Sequence, residues 1–146
     1  MRGSLMVGVL VLGVLSAAAQ ETPTYRESDN PFQEDLPFEL GQPLSLLADV
    51  GGLRLATLTI RPRGEVQAGS PATCEVQVTG SNQRDAKVEV DVALLLEDEG
   101  GKGIDRIHLE PFKVKAGRDF SESAKVSVQG SALLSAKRIY VYIEVR

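Results

Sequence analysis

Lys87–Leu96, KVEVDVALLL, sets Val88, Val90, Val92, Leu94 and Leu96 at every second position. A repeat of two is the repeat of a strand, whose side chains alternate between a buried and a solvated face. No helix can place these five residues on one stripe. The same repeat returns along the chain. Thr73–Thr79 sets Cys74, Val76 and Val78 on one face. Ser121–Gln129 does so with Ala124, Val126 and Val128, and Lys137–Arg146 with Ile139, Val141, Ile143 and Val145. Leu53–Arg61 begins with Leu53 and Leu55 and continues with Leu58 and Ile60. That change of parity predicts a bulge or a change of facing sheet midway. Ile104–Leu109 and Phe112–Lys115 flank Pro111, which cannot donate to a ladder and breaks the run. Gly, Pro, Ser and Asn separate the segments, and no window outside the first residues carries a helical stripe. The expected fold is all-β: an antiparallel two-sheet, immunoglobulin-like sandwich of about seven strands over residues 51–146. A closed barrel is the competing architecture. The long last strand and the parity switch favour the sandwich.

Residues 1–19 follow another logic. Arg2 precedes the uncharged run Leu5–Leu15, and Ser16–Ala19 are small. This is the layout of a secretory signal peptide, with Ala17 and Ala19 preparing cleavage before Gln20. The run is shorter than the about 20 apolar residues of a usual span. An uncleaved anchor is the alternative. No Cys follows the run to accept a lipid. The expected localisation is therefore exported, periplasmic or extracellular, and not integral to the membrane after cleavage. An exported chain with one Cys cannot close an internal disulfide.

Residues 20–50 hold Pro23, Pro31, Pro37 and Pro43, and seven acidic residues against Arg26 alone. Spaced prolines and like charge resist regular structure, so this stretch reads as a flexible acidic linker, with Gln20–Leu40 mobile and dispensable for folding. Its only apolar cluster, Leu44–Ala48, would form a short strand or a helical turn. Residues 51–146 are nearly neutral, with 13 acidic and 14 basic residues. Scattered bases among acids give no footprint for nucleic acid.

One phrase occurs twice. VQAGSPATCEVQVTG at Val66–Gly80 and VKAGRDFSESAKVSVQG at Val114–Gly130 share Val-x-Ala-Gly, a polar stretch, then Val-x-Val-x-Gly. The sequences that follow share nothing, so a duplication is disfavoured. A tight turn that launches a strand, used twice, explains the phrase, with its glycines read as positive-φ turn residues. In an immunoglobulin-like sandwich the second and fifth strands are neighbours in one sheet, and the two strands launched here look like that pair. The phrase "KAGRDFSESAKVSV", with the Val-x-Val strands and Gly/Asn turn before it, resembles the bacterial immunoglobulin-like modules of the cell-adhesion-related family, over about Ile60–Arg146. The resemblance implies an immunoglobulin-like fold and an interaction role. It brings no catalytic residues.

The side chains offer little chemistry. Cys74 alternates with valines and reads as a buried, inert small hydrophobe. His108, the only histidine, has the parity opposite to Ile107 and Leu109 and points to solvent. One Cys and one His cannot make a usual zinc site. Glu97–Asp105 is an acidic, glycine-rich loop that matches no EF-hand and reads as a solvated turn, with calcium as the alternative. No Ser-His-Asp set can be placed, no phosphate loop is present, and no cofactor is implied. The implied role is that of an exported, non-enzymatic structural or protein-interaction module of the cell envelope, with another envelope or extracellular protein as partner. A small-ligand or carbohydrate-binding module is the alternative. The candidate contact residues are Tyr140 and Tyr142, on the outward face of the last strand, beside Arg138 and Glu144.

Overall fold

The computed structural model describes residues 22–146. The expected signal peptide and its cleavage site lie outside these residues. The described chain forms ten strands and one short helix: β1 (Arg26–Ser28), β2 (Phe32–Pro37), β3 (Leu44–Val50), β4 (Leu53–Pro62), β5 (Pro71–Asn82), β6 (Val88–Glu97), β7 (Gly103–His108), β8 (Phe112–Val114), β9 (Asp119–Gln129), α1 (Gly130–Ser135) and β10 (Arg138–Val145). One sheet has the order β1-β3-β4-β5-β9. The other has the order β2-β10-β6-β7, with β8 also paired to β6. The fold is an all-β two-layer sandwich. Among the described residues no helix is long and apolar enough to cross a membrane.

The core is the set of residues that the period-two pattern points inward. Leu53, Leu55, Leu58, Ile60, Cys74, Val76 and Val78 from one sheet meet Val88, Val90, Val92, Leu94, Leu96, Ile139, Val141 and Ile143 from the other, and all are buried. The parity switch in β4 is a bulge: its register against β5 shifts between Leu55 and Thr57. The extra residue lets Leu55 and Leu58 face the same core.

The acidic linker of residues 20–50 is not what the structure shows. β2 pairs with β10 from Phe32↔Ile143 to Pro37↔Arg138, and β3 pairs with β4. Phe32 and Phe38 are buried in the core. β1 runs parallel to β3, so the sandwich is not wholly antiparallel. Two physical facts reverse the expectation. Pro31 and Pro37 stand at the ends of β2, an edge strand, where proline removes no interior ladder bond. Three of the acids also meet arginines: Arg26–Glu34 at 3.0 Å, Arg138–Asp35 at 2.9 Å and Arg54–Asp49 at 3.5 Å. Gly51-Gly52 joins the two regions and does not divide them. It is the two-residue turn of the β3–β4 hairpin, with φ of 59° and 93° and Gly52 N–H donating to Asp49 Oδ1 at 2.8 Å. Positive φ at both central residues is the turn type whose twist suits a hairpin. Seven strands, β4 to β10, follow it; three more precede it in the same sheets.

The doubled phrase builds one antiparallel pair. β5 and β9 align from Pro71↔Gln129 to Ser81↔Asp119 without a register shift. Each is launched by a four-residue turn at the same place in the phrase, closed by Ser70 N–H to Gln67 O and by Arg118 N–H to Lys115 O, both 3.3 Å. Each turn then clamps the far end of the other strand. Gly130 N–H donates to Ser70 O at 2.9 Å, and Asn82 N–H to Arg118 O at 2.8 Å. The closing glycines serve close approach, not positive φ. A Cβ on Gly80 would stand 2.0 Å from Arg54 O, and one on Gly130 would stand 1.8 Å from Gln67 O. Only Gly117 of the four phrase glycines has positive φ, 67°.

Cys74 lies inside this pair, fully buried and opposite Val126. Burial pushes its thiol up from the ordinary 9.0, away from the reactive thiolate. The native protein is expected to resist a thiol reagent and to label only on unfolding. Rapid native labelling would contradict this placement.

Candidate functional site

β10 lies inside its sheet, between β2 and β6. Its alternation buries Ile139, Val141, Ile143 and Val145 and turns Arg138, Tyr140, Tyr142 and Glu144 to the outer face, each half-buried. The register fixes their neighbours. Tyr140 stands between Asp35 and Leu95, and Tyr142 between Gln33 and Ala93. On the far side of β6, Arg106 lies beside Leu95 and His108 beside Ala93. The two rings, Ala93, Leu95 and Arg106 line a shallow trough of about 330 Å³ on this face.

A polar frame surrounds this apolar strip. The Tyr140 hydroxyl donates to Gln33 Oε1. Arg138 Nε donates to Asp35 Oδ1 at 2.9 Å and its Nη2 to Asp35 O at 3.3 Å. On the other flank His108 Nε2 and Asp91 Oδ1 are 2.8 Å apart. At the end of β10, Arg146 meets Glu144 at 3.1 Å and Asp91 at 3.5 Å. Burial, then the charge of Glu144, pushes the Tyr142 phenol up, so it stays neutral. The hydrogen bond and charge of Glu144 push Arg146 up.

The structure thus gathers the candidates Arg138, Tyr140 and Tyr142 on one face. Sequence reading missed the β6 half of it. The signal was present: Ala93 and Leu95 occupy the outward parity of Lys87–Leu96, where a solvated strand would carry polar residues. Strand order could not be read from that signal, so the strip had no second side.

The acidic loop divides into two parts. Asp98 Oδ1 accepts from Gly100 N–H at 3.0 Å and Lys102 N–H at 2.9 Å, and Asp98 N–H donates to Lys102 O at 2.9 Å. This is hairpin-turn geometry. Glu97, in contrast, is buried at the end of β6. Burial, then the neighbouring Asp35 carboxylate, pushes its carboxyl above the ordinary 4.5; Arg138 opposes this and Asp98 adds to it. A raised carboxyl pKa in the folded state costs stability as pH climbs from the unfolded value through the folded one. Glu97→Gln is therefore expected to stabilise the protein at neutral pH, with the gain fading below about pH 4, where both states are protonated. Melting curves against pH check this; a variant less stable at neutral pH would contradict it.

His108 is exposed, as its parity predicts. Among the described residues no group of three or more His, Cys, Asp and Glu side chains is arranged to hold a metal ion.

The chain matches no model of a known protein family and no curated protein.

Proposed function

We propose that the chain is an exported, non-enzymatic, immunoglobulin-like β-sandwich that serves as a structural or protein-interaction module of the cell envelope, with the outer face of β10 and β6 as its contact surface. The single observation that carries this is the strip of Tyr140, Tyr142, Leu95 and Ala93 inside a frame of charges. An apolar, aromatic centre with a polar rim is the anatomy of a protein interface. Tyrosine offers a large contact area with little rotamer entropy to lose. Arg138 is held by Asp35 and sits where a rim residue would. The partner is another envelope or extracellular protein. The likeness of the doubled phrase to adhesion-related modules supports the same role.

The trough between the two rings favours a second reading, a small-ligand or carbohydrate site. A screen against immobilised glycans separates the two.

The double substitution Tyr140→Ser with Tyr142→Ser tests the surface. Partner capture from native envelope is expected to weaken by about 30-fold, the effect of losing about 2 kcal/mol at an interface centre. Capture at full strength by a folded variant would place the interface elsewhere. Loss of fold together with capture would make the tyrosines packing residues.

A further inference from the structure

Sheet edges differ in how well they are closed. Among the described residues, β1 and β8 have three residues each, β2 begins just after Pro31 and ends at Pro37, and the register of β7 shifts against β6. Short length, proline and bulges are the usual means of blunting an edge. β9 has none of these three; only charge guards it, in Lys125 and the inward-parity Glu122. It is 11 residues long, free of proline, and pairs only with β5 in an unbroken register.

The direction of its free groups follows from its two ends. Asn82 N–H donates to Arg118 O, and Gly130 N–H to Ser70 O. Positions 118 and 130 therefore exchange hydrogen bonds with β5. In an antiparallel ladder such pairs alternate, so the even positions of β9 are bonded to β5. The odd positions, among them Ser121, Ser123 and Lys125, aim their N–H and C=O groups at the open edge.

A groove of about 400 Å³ runs along this edge, between Glu122–Val126 on one wall and His108–Phe112 on the other. Phe120, Ala124 and Val126 point into the sandwich but are only half-buried there. Phe112 and Phe120 meet across the layers, 5.7 Å between ring centres. The sandwich is thus unfilled on its β9 side. Glu122 shares the inner parity of these apolar residues, yet it is exposed at the groove, with Glu110 on the opposite wall.

We propose that the β9 edge takes up an extended segment of a partner protein as an added strand, with a Lys or Arg of that segment facing Glu122 and apolar residues two positions to either side. Backbone pairing supplies the register and the alternate side chains supply the choice of partner. A second copy of this chain does not meet the requirement. A two-fold axis that joined β9 to itself would keep like faces together. The inner face of β9 holds Phe120, Glu122, Ala124, Val126 and Val128, with no basic residue. Within β9 no self-pairing register sets a cation opposite Glu122; the register that brings Arg118 there joins only residues 118–122 and leaves the rest of the edge open, and covering a carboxylate without a cation is costly. This edge is separate from the tyrosine face, and the inference does not rest on it.

The probe is a fluorescent peptide of roughly nine residues, threonine throughout except for valine, lysine and valine at alternate central positions. A control peptide has glutamate in place of the lysine. The full chain is expected to bind the lysine peptide about tenfold tighter than the glutamate peptide, and to slow amide exchange at Ser121, Ser123 and Lys125. Glu122→Lys is expected to invert the preference. Ser123→Pro removes an outward N–H that β5 does not use, and is expected to abolish binding in a folded protein. Tyr140→Ser with Tyr142→Ser is expected to leave peptide binding unchanged. Equal affinity for the two peptides, absence of exchange protection, or an indifferent Glu122→Lys variant would overturn the proposal. So would a dimer of the full chain that Ser123→Pro dissociates, since the occupant would then be a second copy.

Discussion

A chain shortened to begin at Gly41 is expected to lose its cooperative fold. The cut removes β1 and β2, and with them Phe32 and Phe38. Truncating one buried phenylalanine to alanine typically costs about 3–5 kcal/mol. Two such losses approach the whole stability of an ordinary domain, about 5–15 kcal/mol. The backbone adds to this. β10 would lose its ladder to β2 and become an edge, and Lys137 O would lose the Phe38 N–H that donates to it at 2.9 Å. Asn30 would go as well. Its side chain pairs with Val145 in both directions, Nδ2 to Val145 O at 2.6 Å and Val145 N–H to Oδ1 at 2.9 Å. A thermal melt followed by circular dichroism is expected to show no cooperative transition, or one lowered by more than about 20 °C. Melting within a few degrees of the full chain would mean that the segment only rests on the sandwich.

Asn82 is expected to be the most sensitive polar position. It is fully buried, at the end of β5. Its Nδ2 donates to Ala86 O at 2.9 Å and lies within reach of Val114 O at 3.2 Å and Lys115 O at 3.3 Å. Its Oδ1 accepts from Arg84 N–H at 3.0 Å. One amide therefore ties the β5–β6 connection to the turn that launches β9. Asn82→Leu leaves buried carbonyl groups without a donor and is expected to cost about 2–3 kcal/mol. Asn82→Asp sets a carboxylate against those carbonyl oxygens and is expected to cost about 3–5 kcal/mol at neutral pH. The latter corresponds to a drop of roughly 10–20 °C in melting temperature. Denaturant titration of both variants checks the order. Equal stability of the wild type and Asn82→Asp would remove the amide from its clamping role.

The sequence by itself determined the layer type and most of the core. A buried face repeats every two residues whatever its neighbours are, so Val88–Leu96, Cys74–Val78 and Ile139–Val145 announce their inner sides without any knowledge of pairing. The bulge in β4 was legible for the same reason, as a break in parity. The two turns of the doubled phrase were legible as turn chemistry, and their strands as a pair.

Beyond that one pair, strand order and everything that depends on it came only from the tertiary structure. Proline and like charge oppose structure when a segment is read alone. Residues 26–50 fold because groups outside the segment answer them, β10 for the backbone of β2 and Arg138 for Asp35 from far along the chain, and Arg54 for Asp49 across the hairpin. The same holds for the sites. Tyr140 and Tyr142 could be placed on one face, but Leu95, Ala93 and Arg106 joined them only through the β10–β6–β7 register. Asn82 read as a turn residue because its partners lie up to 33 positions away along the chain. Glu122 has no distinguishing signal in its own segment; the order of the sheet sets its strand at an open edge. Local physics fixes which way a residue faces; which residues it faces depends on how the strands are ordered, and order is settled by long-range pairing.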